Sequence, residues 1–232
     1  MRNRVLLSSF LLVLFFNVAV AQNAPGPQPN IFKTMDFSIG VVGYFAETRD
    51  PVNASSGVTS STNQHALSET PAPGVVAGFH QQWSRFLGYR VDLGYTRTDF
   101  NYFFEHVSTP FALNDLNNGT IRSDIYEGSA SYELQGPRTR RLSTFASVGA
   151  AILSFVPTDK SQPDSYVFRP AGVGGLGVDF HLTPKLELRS QYRGLFFQSP
   201  DFRYHDGPIP VVVRHEYSSE IVLGLAYRFG KR

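Results

Sequence analysis

The chain contains no cysteine. That excludes disulfides, thiolate metal sites, a cysteine nucleophile and an acylated-cysteine lipid anchor, and it suits an oxidising compartment. A strong excess of either charge is also missing. The formal net charge is +2 and the pI is near 8.9, and the basic residues are scattered, with none of the stripes that a nucleic-acid partner needs. Beyond the first two dozen residues no apolar run is long enough to cross a bilayer as a helix. With a mean hydropathy of −0.15, a helical membrane bundle is excluded. What the chain has in quantity is aromatic residues, 14%, and 20 glycines, against 17% charged residues. This mixture favours β structure with closely packed backbones, and 232 residues fit one such domain.

The N-terminus reads as an export signal over residues 1–21. Arg2 and Arg4 give a positive start, Val5 to Phe16 form the apolar stretch, and Ala19-Val20-Ala21 supplies the small-x-small cleavage pattern. The apolar stretch is too short for a membrane anchor, which needs about 20 residues. Residues 22–35, rich in Pro, Gly and Asn, read as a flexible periplasmic leader. Residues 36–232 form the expected barrel domain.

In that domain the patterning predicts eight strands, at 36–47, 73–84, 89–100, 120–134, 142–156, 170–182, 185–198 and 215–229. The links between them alternate. Long polar stretches at 48–72, 101–119, 157–169 and 199–214 follow the odd strands, and short connections at 85–88, 135–141 and 183–184 follow the even ones. A barrel threaded through a membrane from the periplasm makes short inner turns and long outer loops, whereas a soluble sandwich has no reason to sort its loops by face. The expectation is therefore all-β: an antiparallel up-and-down transmembrane β-barrel of about eight strands.

Alternation within strands supports this. Leu186, Leu188 and Tyr192 oppose Glu187, Arg189, Gln191 and Arg193; Tyr217, Ile221, Leu223, Leu225, Tyr227 and Phe229 oppose Glu216, Ser218, Glu220, Gly224, Ala226 and Arg228. Aromatic residues collect toward the ends of the apolar faces. Trp83, Tyr89, Tyr132, Phe180, Tyr227 and Phe229 form an inner girdle and Phe45, Phe155, Phe196, Phe197 and Tyr217 an outer one, as rings at headgroup depth would. The charged faces then line the lumen. Arg90, Asp92, Glu127, Glu133, Asp179, Glu187, Arg189, Arg193, Glu216, Glu220 and Arg228 carry both signs and are expected to pair with one another as a plug, because buried charges must be paired. An eight-stranded barrel is just wide enough to be filled by side chains, so a general porin is not expected. An ion gate or an acid/base pair is the alternative use of such carboxylates.

The closing segment Ser219–Phe229, with Gly224, Tyr227 and Phe229 at the spacing of the C-terminal β-signal, resembles that of bacterial outer-membrane proteins. Gly230-Lys231-Arg232 follow its phenylalanine, and Val222 stands where the signal often has a polar residue. The chain from about 36 to 229 resembles the small eight-stranded OmpA/OmpX-like outer-membrane barrels. The resemblance implies a place in the bacterial outer membrane, outer-membrane lipids as surroundings, periplasmic chaperones and the barrel-insertion machinery as partners, and a monomer.

Chemical motifs are few. His106-Val107-Ser108 resembles the His-x-Ser pair of the lipid A-deacylating barrels, in which a neighbouring base activates the hydroxyl, but it falls in a stretch read as loop. His65, His80, His181, His205 and His215 show no metal-ligand spacing. Asn118-Gly119-Thr120 reads as a turn into a strand. The glycine-rich run at 172–177 lacks the helix a dinucleotide loop requires. No cofactor or metal is expected. The expected function is non-enzymatic, with outer loops on a rigid barrel for binding, adhesion or envelope stability. A lipid-modifying enzyme is the alternative, and a soluble barrel with an apolar pocket a third.

Overall fold

In the computed structural model, residues 35–46, 63–84, 86–107, 114–158, 166–200 and 215–229 are described, with the backbone alone at 63–69, 102–107 and 114–119. The expected export signal and the leader up to residue 34 lie outside them. Among the described residues nine strands follow one another: β1 (Met35–Ala46), β2 (Asn63–Glu69), β3 (Ala72–Gln82), β4 (Leu87–Val107), β5 (Asn114–Arg138), β6 (Leu142–Pro157), β7 (Val167–His181), β8 (Leu186–Gln198) and β9 (His215–Arg228).

Eight of them close a barrel. Each pairs antiparallel with its neighbours in the order β1-β3-β4-β5-β6-β7-β8-β9, and β9 returns to β1 from Asp36↔Arg228 to Ala46↔Ser218. Closure leaves no open edge in the wall, the only way a sheet can satisfy its backbone in hydrocarbon. The closing seam is tight. Gly224 stands opposite Gly40, and a Cβ on Gly224 would lie 2.7 Å from the Ile39 carbonyl oxygen and 2.9 Å from Gly40 Cα. Only glycine allows that approach.

The ninth strand, β2, is outside the sequence expectation. Residues 48–72 and 101–119 were expected to be loops, yet β2 pairs with the outer part of β4 (Asn63↔His106 to Glu69↔Phe100), and β4 pairs with β5 as far as Val107↔Asn114. β2 continues the line of β3 past a break at Thr70-Pro71. Thr70 N donates to Asp99 O at 3.0 Å and Thr98 Oγ1 donates to Thr70 O at 2.7 Å. The register slips by one residue there, since Glu69 faces Phe100 while Gly74 faces Thr96. The reason is local. Pro71 and Pro73 have no N–H to give to a ladder and interrupt the strand pattern, while a strand continuing beyond the apolar band need not keep the apolar alternation by which a membrane strand is read. At 21 and 25 residues, β4 and β5 exceed the roughly 9–11 that a tilted transmembrane strand needs. With β2 they form a three-stranded sheet extending the barrel wall.

The wall is apolar outside and mixed inside. Leu93, Val148, Leu176 and Ile39 are 60–66% exposed, whereas Arg189, Arg193 and Glu220 are buried in the lumen at 2–4%. A water-soluble barrel has the opposite polarity, so the third sequence alternative falls. The short turns that follow β3, β5 and β7 and both ends of the barrel domain share one rim, where Phe229 N donates to Met35 O and Arg228 N to Lys185 O. In a membrane barrel this is the periplasmic rim.

Candidate functional site

The lumen is divided by height. Its inner half is charged and its outer half apolar, and each strand changes character at about the same level. Along β8, Glu187, Arg189, Gln191 and Arg193 give way to Leu195 and Phe197; along β5, Glu133 and Glu127 give way to Ile125 and Ile121.

In the charged half, arginines of β8 reach across to distant strands. Arg189 donates through Nε to Asp179 Oδ1 at 2.7 Å on the neighbouring β7, and through Nη1 to Glu133 Oε2 at 3.1 Å on β5. Its guanidinium also lies 4.3 Å from the centre of the Phe145 ring. Arg193 pairs with Glu127 of β5 and lies 3.4 Å from Glu220 of β9 and 3.9 Å from Asp92 of β4. Arg90 donates to Asp92 Oδ1 at 2.7 Å and to Ser38 Oγ at 2.8 Å. Arg228 Nη2 lies 3.0 Å from Glu187 Oε1. Glu216 occupies the same face of β9 nearer its outer end, half-buried.

Three members of this network carry no sequence motif. His80 Nδ1 lies 2.7 Å from Asp36 Oδ2, its Nε2 lies 3.6 Å from Glu133 Oε1, and His181 Nδ1 lies 2.9 Å from Glu187 Oε1. The signal that finds them is register. Asp36 opens β1 and His80 nearly ends β3, so an antiparallel hairpin sets them on one rung, as it sets His181 opposite Glu187. Phe145 fills the lumen beside them, its ring lying over Gly177, where a Cβ would collide with it.

Above the charges, Tyr44, Phe100, Ile121, Ile125, Leu153, Phe155, Leu195 and Phe197 form an apolar plug. Phe100 and Phe155 meet edge-on at 5.9 Å, and Phe155 and Phe197 at the same distance. This corrects the outer girdle: Phe155 and Phe197 are 0% and 2% exposed and point inward, while Phe45 and Phe196 face outward at 42% and 53%. Phe196 and Phe197 are consecutive and must take opposite faces of a strand. In β6 both faces are apolar at this height, so alternation alone does not fix the side of Phe155. Between plug and charges, a gap of about 10 Å³ touches Tyr44, Glu127, Arg193 and Glu220, room for one water molecule at most.

On the exterior, a ladder on β4 and β5 marks the outer edge of the apolar band. Tyr95 faces Tyr126, Arg97 faces Asp124, and Asp99 faces Arg122 on successive outward rungs. Arg97 Nε donates to Asp124 Oδ1 at 2.6 Å, Tyr95 Oη to the same oxygen at 3.0 Å, and Arg122 Nε to Asp99 Oδ1 at 3.1 Å. Aromatic pair, then ion pairs, is the order met on leaving a bilayer. Among the described residues no group of three or more His, Cys, Asp or Glu could hold a metal ion. His106 stands on β4 opposite Asp115, not in a loop; Ser108 lies outside the described residues.

No family model and no curated protein matches the sequence. Solved structures share the fold. Neisserial surface protein A is 15% identical, with 84% of this chain and 96% of that chain covered and a TM-score of 0.50. The outer membrane protein OprG from Pseudomonas aeruginosa is 11% identical, with 85% and 97% covered and a TM-score of 0.49. Ail, the attachment invasion locus protein of Yersinia pestis, solved with the heparin analogue sucrose octasulfate, is 12% identical, with 83% and 96% covered and a TM-score of 0.48. At such identities the likeness is one of fold. Joined to the apolar wall and the charged lumen, it defines the class: this chain is a small, closed, eight-stranded antiparallel up-and-down β-barrel, built like the small outer-membrane barrels of the OmpA/OmpX type.

Proposed function

We propose that this barrel is a non-enzymatic, monomeric platform that presents its outer loops and the β2–β4–β5 sheet to binding partners, in adhesion or in contacts that stabilise the envelope. The observation that carries this reading is the length of β4 and β5, which continue beyond the exterior Arg97–Asp124 and Asp99–Arg122 rungs as a paired sheet. Ordered backbone beyond the membrane is a scaffold, and binding residues concentrate on elements that a rigid scaffold positions. A lumen filled by ion pairs and aromatic rings supports anchoring over transport. In the same reading, residues 1–21 direct export, periplasmic chaperones escort the unfolded chain, and the insertion machinery takes up β9 through Gly224, Tyr227 and Phe229.

The test is to replace 63–69 and 101–119 with short turns and to display both forms on bacterial cells over a panel of matrix proteins and glycans. The full chain should retain cells on at least one surface and the trimmed chain on none, with both barrels still migrating differently before and after boiling. Equal retention by the trimmed form overturns the reading.

The enzymatic alternative is a lipid-modifying barrel using His106 and Ser108. Position argues against it. His106 lies 11 residues beyond Tyr95 on β4, roughly 35 Å along the strand, whereas an ester of a membrane lipid sits at headgroup depth. Purified protein releasing fatty acid from lipid A or phospholipid, with loss of release in Ser108→Ala, would establish the alternative.

A further inference from the structure

Among the described residues, exposed cations are paired at one end of the barrel and unpaired at the other. At the outer end, the exposed arginines among the described residues are matched, Arg97 by Asp124 and Arg122 by Asp99. At the inner end they are not. Arg138, Arg140, Arg141 and Lys185 are all exposed, and none forms an ion pair among the described residues. The segments 83–86, 135–142 and 182–185 that build this rim contain no Asp or Glu. The carboxylates nearest in sequence, Glu133, Asp179 and Glu187, point into the lumen, are at most 3% exposed, and are held there by Arg189, His181 and Arg228.

Backbone and ring contacts tie these residues into one rim. Arg141 O accepts from His181 N, which joins the 139–141 turn to the end of β7, and Lys185 Nζ lies 5.9 Å from the Tyr227 ring. Directly beside them runs the inner aromatic girdle, in which Trp83 packs on Tyr132 with ring centres 6.2 Å apart. Rings at the acyl boundary and unmatched cations one step further out fit a layer of anionic headgroups, since long basic side chains reach outward to phosphate while their stems stay in the interface.

We propose that the inner rim is a binding surface for anionic phospholipid, with headgroup phosphodiesters seated on Arg138, Arg140, Arg141 and Lys185. This rests on the membrane-barrel reading and adds a headgroup preference to it. Each basic residue near an anionic surface brings about a fivefold gain in affinity, so four together suffice to select lipids by charge.

Trp83 is the chain's only tryptophan and stands in the rim, which makes it the reporter. The mature protein is folded into mixed phosphatidylcholine and phosphatidylglycerol bilayers in which one lipid at a time carries brominated acyl chains, which quench indole on contact. Brominated phosphatidylglycerol should quench about threefold or more strongly at equal mole fraction. The excess should fall in about 0.5 M salt, vanish in R138Q/R140Q/R141Q/K185Q, and survive in R138K/R140K/R141K, which keeps the charge. Equal quenching by the two headgroups, or a preference unchanged in the glutamine variant, overturns the proposal and leaves the barrel reading intact. Absence of quenching by either lipid means that Trp83 does not touch a bilayer and overturns both.

Discussion

Arg189 on β8 and Glu133 on β5 stand on strands separated by β6 and β7, yet Nη1 of one lies 3.1 Å from Oε2 of the other across the lumen. The pair ties opposite walls together, and Asp179 completes it from β7. Taking away Arg189 removes the guanidinium that two buried carboxylates share, Asp179 and Glu133, and breaking a buried pair in this way costs about 3–5 kcal/mol. Arg189→Ala should lower the unfolding free energy of the barrel, extrapolated from urea titration, by that much. Glu133→Gln, which keeps a hydrogen-bonding oxygen and leaves Asp179 paired, should cost less. A smaller loss in Arg189→Ala than in Glu133→Gln would show that the cross-lumen pair is not what holds the walls.

Gly177 and Phe145 make a second couple. The ring of Phe145 on β6 lies over Gly177 on β7, its partner on the same rung, and from there it packs against the Arg189 guanidinium. A side chain at 177 must push the ring out of a filled lumen, and overpacking of this kind costs about 1–3 kcal/mol. Gly177→Val should destabilise the barrel by that amount, with part of the loss recovered when Phe145→Leu is added. A double variant no more stable than Gly177→Val alone would count against steric coupling.

These two couples show what was legible in the sequence and what was not. Glu133, Asp179 and Arg189 are readable as lumen residues because polar and apolar side chains alternate along their strands. Their pairing is not, because Arg189 and Glu133 are 56 positions apart and only closure brings them together. Phe155 and Phe197 are readable as strand aromatics, but their side of the wall is hidden where both faces are apolar. β2 and the outer parts of β4 and β5 are hidden for the opposite reason. Beyond the bilayer neither face must be greasy, so a strand there has the composition of a loop.

The edge of the bilayer can be mapped because the chain offers no thiol of its own. Single-cysteine variants should divide at the Tyr95–Tyr126 rung. Leu93→Cys and Ile39→Cys, on the apolar wall, should resist a membrane-impermeant maleimide in intact bilayers, and Arg122→Cys, two outward rungs past Tyr126 on β5, should react within minutes. Reaction of Leu93→Cys at the rate of Arg122→Cys would place the boundary lower than the ladder indicates.

The last consequence concerns passage through the barrel. Ions entering from the inner rim meet carboxylates and guanidiniums bound to one another, then the plug in which Phe100, Phe155 and Leu195 are each 0% exposed. The gap between these zones, about 10 Å³, is too small for a hydrated ion, and the few buried hydroxyls at plug height, among them those of Tyr44, Ser123 and Ser218, are too few to replace a hydration shell, whose loss costs many kcal/mol. The folded protein in a planar bilayer should therefore give no unitary conductance steps. Phe100→Ala combined with Phe155→Ala removes both rings from the plug, and only that variant should conduct, through the charged zone beneath. Steps of equal size in the unaltered protein and in the double variant would mean that the seal lies elsewhere, because rings that block the path must change the current when they are removed.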